Sequence, residues 1–304
     1  MQTPKMPVPP AGPTCPICQK LMINKTAAFT YFCKPCNYWG ADLPVDIDSA
    51  GTDEDEISDE AYIASLEGLR VKNFGLILQQ LKQQKSSSTL SILDVGCASG
   101  LFMRVAHSQG FKVTGIEPNQ QLYALTQKHG LKVTHDYFPP KANLGEKFDV
   151  IIFNDVFEHI PDVHTILNSC VEYLNEDGLL ILNLPNAEGL IFRFSRILAR
   201  LGMLGPWNRL WQVMFRTPHL HYFSFSALNK LVNQHGFIAT KGKQDIATIE
   251  VAGLWSRLSV NRSASALLKN NVLYLGMLVL YPFILFSEKD TFFVIYQRNR
   301  KLVK

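Results

Sequence analysis

The chain has 304 residues, of which 47% are hydrophobic and 18% charged, and its formal net charge is +4 at pH 7. This length suits one α/β domain with a small appendage, and the composition is ordinary for a globular protein. The small net charge argues against a nucleic-acid partner. Prolines interrupt the N-terminus, which therefore lacks the charged-then-apolar pattern of a signal peptide, and we predict a cytoplasmic protein.

Four cysteines near the start of the chain form two Cys-x-x-Cys pairs, Cys15 with Cys18 and Cys33 with Cys36. Each pair supplies two thiolates about one turn apart, and four thiolates complete a tetrahedral zinc shell without an open position. We predict a structural zinc ion in a zinc-ribbon-like segment. The alternatives are a disulfide pair, which a reducing compartment disfavours, and a rubredoxin-like iron site.

An acid-rich stretch follows, which we interpret as a solvated linker over residues 46–60. The next segment, from about Ala61 to Gln84, has apolar residues at roughly helical spacing, and it ends at a serine-rich loop. We therefore predict one long helix between the linker and the main domain.

The segment from Leu90 to Gly100 combines a short apolar strand, a glycine turn and the start of an amphipathic helix. Gly96 and Gly100 let the backbone turn tightly and approach a ligand closely. Asp94 stands at the carboxyl end of the strand, where open α/β sheets bind their ligands. The spacing D-x-G-x-x-x-G differs from the dinucleotide fingerprint G-x-G-x-x-G, which argues against a nicotinamide cofactor.

Four further strands follow along the chain. The second ends in Glu117, an acid placed to accept both hydroxyls of a ribose. The third precedes Asp136 and Tyr137, and the fourth is an apolar run typical of a strand buried on both faces, ending at Asn154 and Asp155. The fifth lies just before Pro185.

In order and spacing, these segments resemble the motifs of class I S-adenosylmethionine-dependent methyltransferases over roughly residues 60–240. The resemblance implies an α/β fold with a Rossmann-like, seven-stranded, mostly parallel sheet, whose last strand lies at Thr291 to Gln297. It also implies a cofactor, S-adenosylmethionine, whose methionine part lies on the glycine turn, whose ribose meets Glu117 and whose adenine lies near Asp136. The predicted cofactor-binding residues are Asp94, Gly96, Cys97, Ala98, Gly100, Phe102, Glu117, Asp136, Tyr137, Asn154 and Asp155.

An insertion follows the fifth strand, over residues 187–217. Leu190, Phe194, Ile197 and Leu201 share one helical face, and three arginines share another. We weigh two interpretations: a lid helix that packs its apolar face on the domain, and a basic amphipathic segment that lies in a membrane interface.

The segment after this insertion resembles the H-x-x-x-F-(S/T) sequence that lies near the acceptor pocket in relatives that methylate small hydroxylated molecules. His219 or His221 is therefore a candidate general base, since imidazole titrates near neutral pH. The alternative is that one of them only fixes the loop through a hydrogen bond. We interpret His159 as structural.

Near the C-terminus, residues 272–286 carry no charge but are too few to span a bilayer. They fit a core helix, an interfacial segment or a lipid-facing patch. The predicted organisation is a zinc-ribbon-like segment (1–45), an acidic linker (46–60), a cofactor-binding core (61–186), a lid and acceptor segment (187–238) and a C-terminal apolar helix with the last strand (239–304).

The resemblance implies O-methylation of a sugar or glycan precursor, or of a lipophilic small molecule. Ubiquinone-pathway O-methyltransferases are similar through the core, and their substrates sit at membranes, so we predict a small-molecule, sugar or lipid-linked acceptor and consider a peripheral membrane contact. The alternatives are a sugar C-methyltransferase and a module that binds S-adenosylmethionine without catalysis and docks a partner through its zinc ribbon. The oligomeric state does not follow from the sequence.

Overall fold

The computed structural model describes residues 12–47, 60–85, 89–142, 144–247 and 287–299. The N-terminal part holds three strands, β1 (Ile23–Lys25), β2 (Ala27–Cys33) and β3 (Tyr38–Ala41). The elements of the main domain up to its fifth parallel strand are α1 (Glu60–Gln84), β4 (Ser91–Val95), α2 (Leu101–Ser108), β5 (Lys112–Ile116), α3 (Gln120–Lys128), β6 (Val133–Thr134), β7 (Phe148–Asn154), a 3-10 turn (Phe157–His159), α4 (Val163–Tyr173) and β8 (Leu174–Pro185). The later elements are α5 (Leu190–Arg200), α6 (Gly205–Leu210), β9 (His221–Phe223), α7 (Phe225–Asn233), β10 (Phe237–Ala239), β11 (Gln244–Ile246) and β12 (Thr291–Arg298).

The central sheet has the strand order β10-β12-β8-β7-β4-β5-β6, with β11 paired beside β10 on β12. Strands β4 to β8 run parallel to one another, whereas β12 runs antiparallel to β8. The predicted seven-stranded, mostly parallel sheet is confirmed, and β11 is an eighth strand that the sequence analysis did not predict.

The middle strands are buried on both faces, as the parallel arrangement requires. Val150, Ile151, Ile152 and Phe153 of β7 are all fully buried. Their side chains alternate between two clusters, one on each side of the sheet, because successive side chains of a strand point to opposite faces. This explains why β7 is a continuous apolar run in the sequence.

The cysteine-rich segment is joined to the main domain through a shared sheet. Strand β3 pairs antiparallel with β9, so that Tyr38 lies opposite Phe223 and Gly40 opposite His221. Tyr38, Cys15 and Cys36 belong to the same buried cluster as residues of β7 and α7. The segment 12–47, which we call the ribbon, is therefore packed into the domain; the predicted domain boundaries stay predictions.

Helix α5 packs on the ribbon with a different face from the one that the sequence indicated. Its buried residues are Phe192, Ser195 and Ala199, and they lie in a cluster with three tryptophans of the ribbon and of the insertion, Trp39, Trp207 and Trp211. Phe194, Ile197 and Leu201 are exposed, so the interpretation of their face as the packed face of a lid is wrong.

Two predicted segments, the acidic residues 48–59 and the uncharged residues 272–286, lie outside the described residues. Among the helices that the structure describes, none combines the length and apolar character needed to cross a membrane.

Candidate cofactor and acceptor cleft

Two adjoining cavities open where the parallel strands β4, β5 and β7 end. The small cavity has a volume of about 230 Å³ and the large cavity about 580 Å³. Both are lined by Gly96, Asp155 and Val156. We treat them as one cleft and call these three shared residues its waist; the cleft lies where open α/β sheets bind ligands.

Asp94, the last residue but one of β4, is a buried carboxyl group on the wall of the small cavity. It is 1% exposed, and its Oδ1 accepts a hydrogen bond of 3.5 Å from the Asn154 side chain. Its Oδ2 has no hydrogen-bond partner among the described residues. Burial raises the pKa of Asp94 to about 8; the Asn154 hydrogen bond opposes that shift and the charge of Glu117 adds to it. A buried acid of this kind calls for a cationic or donor group from a ligand.

The turn that follows β4 requires glycine at two positions. Gly96 and Gly100 have φ angles of +69° and +75°, in the left-handed region that favours glycine. A Cβ on Gly96 would lie 2.7 Å from a methyl carbon of Val156, and one on Gly100 would lie 2.5 Å from Leu131. The lack of a side chain at Gly96 therefore makes room for Val156, and both residues line the two cavities.

Glu117 follows β5 and lies on the wall of the large cavity. Its Oε2 accepts the backbone N–H of Ala98 and its Oε1 that of Asn119, both at 2.8 Å. Burial nevertheless raises the pKa of Glu117, and these two hydrogen bonds only moderate the shift. The carboxylate is held rigidly, and each oxygen keeps a lone pair for a further donor such as a ribose hydroxyl.

Most of the other predicted cofactor residues line the cleft, and two of them do not. Cys97, Ala98, Phe102 and Asn154 line the small cavity, and Tyr137 lines the large one. Neither Gly100 nor Asp136 is among the lining residues. The two oxygens of Asp136 accept the backbone N–H groups of Tyr137 and Lys141, at 2.8 and 2.7 Å, so this side chain holds the loop after β6.

The two histidines predicted as bases have both ring nitrogens engaged. His221 Nε2 donates to the Ile160 carbonyl at 2.8 Å, and its Nδ1 accepts from the Tyr38 hydroxyl. His219 Nδ1 contacts the Tyr222 hydroxyl at 3.0 Å and its Nε2 the Gln212 amide at 3.1 Å. Burial lowers the pKa of His219 to about 3 and that of His221 to about 4. Neither lines the cleft, and their catalytic role stays a prediction.

His159 is the histidine that faces the large cavity. Its Nδ1 donates to the Pro218 carbonyl at 2.9 Å, which leaves Nε2 as the acceptor nitrogen of the neutral ring. That Nε2 lies 4.0 Å from an oxygen of the buried Glu158. Burial lowers the pKa of His159, which favours the neutral ring.

Several residues that line the two cavities were not predicted from the sequence. Arg70 of α1 lines the small cavity together with Glu67, and Val45 to Ile47 of the ribbon line the large cavity beside Arg216. Arg70 stands on the long helix that the sequence predicts, but its position in the chain does not by itself indicate contact with the cleft. The contribution of the ribbon has no local signal in the sequence, since it depends on the tertiary pairing of β3 with β9.

The four ribbon cysteines converge on one point. Their Sγ atoms all lie within 4.8 Å of one another, and those of Cys18 and Cys33 are 3.6 Å apart. Four thiolates at about 2.3 Å from a tetrahedral zinc ion would be roughly 3.8 Å apart. The residue after each pair, Gln19 or Asn37, has a positive φ angle that turns the chain around the cluster. The donor set and spacing fit a metal ion.

Comparison with known proteins identifies the class. The family described as a methyltransferase domain matches residues 66–241, and the chain belongs to this family. Its fold and motifs are those of a class I S-adenosylmethionine-dependent methyltransferase, as the resemblance implied.

Among relatives, the chain is 30% identical over 122 residues to a ubiquinone biosynthesis O-methyltransferase of Azorhizobium caulinodans, a match that covers 38% of this chain and 47% of the relative. It is 34% identical over 121 residues to the ubiquinone biosynthesis O-methyltransferase of Histophilus somni, covering 36% of this chain and 51% of the relative. The chain thus spans about half the length of the curated relatives it matches. The plantazolicin methyltransferase BpumL, solved in complex with SAH, is similar in fold, with a TM-score of 0.53 at 13% identity over 83% of this chain and 92% of that one.

Proposed function

We propose that the protein transfers the methyl group of S-adenosylmethionine to a hydroxyl oxygen of a small molecule. The observation that carries the methyl-donor part of this proposal is the pair of buried carboxylates on either side of the Gly96 turn. Asp94 has an oxygen without a hydrogen-bond partner among the described residues, and Glu117 is fixed by two backbone N–H groups. An electrophilic methyl on the sulfonium is the chemistry that the cofactor supplies.

The small cavity suits the methionine part of the cofactor because it contains groups of both signs. Asp94 would meet the ammonium group, and Arg70, which lines the same cavity, would meet the carboxylate. Glu117 would accept the ribose hydroxyls, and Tyr137 and Leu122 would flank the adenine in the large cavity. We retain Asp155 as the residue at the waist, next to the reacting methyl.

The remaining wall of the large cavity suits a partly apolar acceptor. Val45, Ile47, Ile160 and Pro161 supply apolar surface, and His159 supplies a nitrogen that can take the proton of a hydroxyl group. Methyl transfer needs mainly in-line positioning, so such a base would add to the rate without being essential. His219 and His221 stay alternative candidates, supported by sequence alone.

The acceptor class rests on the relatives and on the cavity together. The relatives named above are ubiquinone biosynthesis O-methyltransferases, which favours a phenolic or lipophilic acceptor, and the apolar wall favours the same class over a sugar. We keep a sugar or glycan precursor, a sugar C-methyltransferase activity and a non-catalytic binding module as the alternatives.

We further propose that the ribbon binds zinc and that this ion helps to shape the acceptor side of the cleft. The ribbon continues from β3 into Val45–Ile47, and the backbone N–H of Asp46 donates to the Arg216 carbonyl at 3.0 Å on the cavity wall. Metal analysis of the purified protein should find one zinc per chain. Iron in its place would support the rubredoxin-like alternative, and disulfides would exclude both.

The test of the proposed function uses purified protein, S-adenosylmethionine and two acceptor panels, one of catechols and alkyl phenols and one of sugars. We expect methyl ethers from the phenolic panel only, and we expect His159→Gln to lower kcat more than KM while His219→Gln has a smaller effect. Products from the sugar panel alone would overturn the phenolic assignment. Equal effects of the two histidine variants would contradict the role of His159.

A further inference from the structure

Helix α5 has two apolar faces, and in the part of the chain that the structure describes only one of them is packed. The inner face packs Phe192, Ser195 and Ala199 against the ribbon. The outer face presents Phe194, Ile197 and Leu201, which are 57%, 51% and 71% exposed. A surface helix of a globular protein usually has polar residues on its outer face, so this arrangement needs a reason other than folding.

The exposed apolar surface continues beyond the end of α5. Met203 and Leu204, in the connection to α6, are 49% and 41% exposed. With Phe194, Ile197 and Leu201 they form what we call the outer patch. Large apolar side chains grouped in one exposed patch are typical of an interaction site.

The charged side chains of α5 and of the segment from α5 to residue 217 are all of one sign. The sequence contains no aspartate or glutamate between Glu188 and Asp245. Arg193, Arg200 and Arg209 are exposed within that stretch. A surface that combines apolar side chains with unbalanced positive charge is complementary to an anionic lipid bilayer, whose headgroups attract the arginines while the acyl region accepts the apolar groups.

We propose that the outer patch and its arginines dock the protein on the surface of an anionic membrane, with α5 lying in the plane of the headgroups. The inner face holds the helix on the domain through the buried tryptophans, so docking needs no unfolding of the insertion. The chain leads from α6 directly to Arg216 and Thr217 on the wall of the large cavity. If the proposed function is right, a lipophilic acceptor in the membrane then lies close to the cleft; the docking itself does not rest on that function.

The test measures flotation of the full-length protein with two kinds of vesicle, phosphatidylcholine alone and phosphatidylcholine with phosphatidylglycerol. We expect binding to the anionic vesicles and a loss of at least about ten-fold in the triple variant Phe194→Ser, Ile197→Ser, Leu201→Ser. The matched control is Leu21→Ser with Ile23→Ser, since these ribbon side chains are 62% and 56% exposed. It should bind like the wild type.

A second variant, Arg193→Gln with Arg200→Gln, should weaken binding to anionic vesicles and reduce its sensitivity to salt. Circular dichroism and thermal unfolding confirm that each variant is folded, whether or not the protein proves to be a methyltransferase. Wild-type protein that stays with neither vesicle, or a triple variant that binds like the wild type, overturns the proposal. Light scattering provides the remaining arm: a wild-type dimer that the triple variant converts to monomer would show that a second copy of the chain covers the patch.

Discussion

Replacing Asp94 by asparagine should make the free protein more stable and its cofactor binding weaker. The raised pKa keeps the proton on Asp94 in the folded free protein up to about pH 8, whereas an ordinary aspartate with a pKa of 3.8 loses it near that pH. Folding therefore takes up a proton, and stability falls as pH rises from about 4 to about 8. At pH 7 this loss is on the order of 4 kcal/mol, at about 1.4 kcal/mol per pKa unit. Asparagine has no such proton and still accepts the Asn154 hydrogen bond.

The assay combines thermal unfolding between pH 5 and 8 with calorimetric titration of S-adenosylmethionine. We expect Asp94→Asn to melt several degrees higher than the wild type at pH 8, and to bind the cofactor at least about ten times more weakly, which is about 1.4 kcal/mol. Asp149→Asn is the matched control, because hydrogen bonds from Ser91 and Asn175 lower the pKa of Asp149. That variant should lose stability and keep its cofactor affinity. An Asp94→Asn protein with an unchanged melting profile and unchanged affinity would refute the reasoning.

Three further changes should act on separate parts of the site. Gly96→Ala should weaken cofactor binding by more than ten-fold, because its Cβ would lie 2.7 Å from Val156 at a φ of +69°; the same titration checks it, and normal affinity would contradict the assigned waist. Glu117→Gln should weaken binding of S-adenosylmethionine about ten-fold through the loss of a charged acceptor for the ribose, measured against 5′-methylthioadenosine, which keeps the ribose and should lose affinity equally. Changing Cys15 and Cys18 to serine should release the metal and lower the melting temperature of the whole domain, since Cys15 is fully buried in the cluster shared with β7; an unchanged melting temperature with metal loss would mean that the ribbon unfolds independently.

The central sheet and the cofactor turn are predictable because their signals are local. The continuous apolar run of β7 and the glycines of the turn after β4 each reflect a constraint met within a few residues, namely burial on both faces and a positive φ angle. Asp94 and Glu117 follow from those strands, since each stands directly after or at the end of one.

The placement of the ribbon was not predictable from such signals. Tyr38 of β3 and Phe223 of β9 are strand partners although they lie far apart in the sequence. A strand as short as β9 has too few residues to show a hydrophobic pattern of its own. Helix α5 shows the same limit: residues at apolar spacing occur on both of its faces, so periodicity alone cannot tell which face packs. The tryptophan cluster around Trp39 determines which face packs, and its members lie far apart in the sequence, so no local pattern indicates it.

Histidine roles were equally dependent on tertiary contacts. His219 and His221 stand in the segment that resembles an acceptor-site motif, yet their ring nitrogens are engaged by Tyr222 and by the Ile160 carbonyl. His159 lines the cavity although its sequence context indicated a structural role.

Methyl transfer itself is the most direct test of the account. Purified protein would be incubated with methyl-tritiated S-adenosylmethionine and a cell extract, which is then separated into lipid, polysaccharide and small aqueous fractions. We predict that label appears in the lipid fraction, and that the Asp94→Ala variant incorporates it at a much lower rate. Tight binding of S-adenosylmethionine with no label in any fraction would contradict the proposed activity and favour the non-catalytic module.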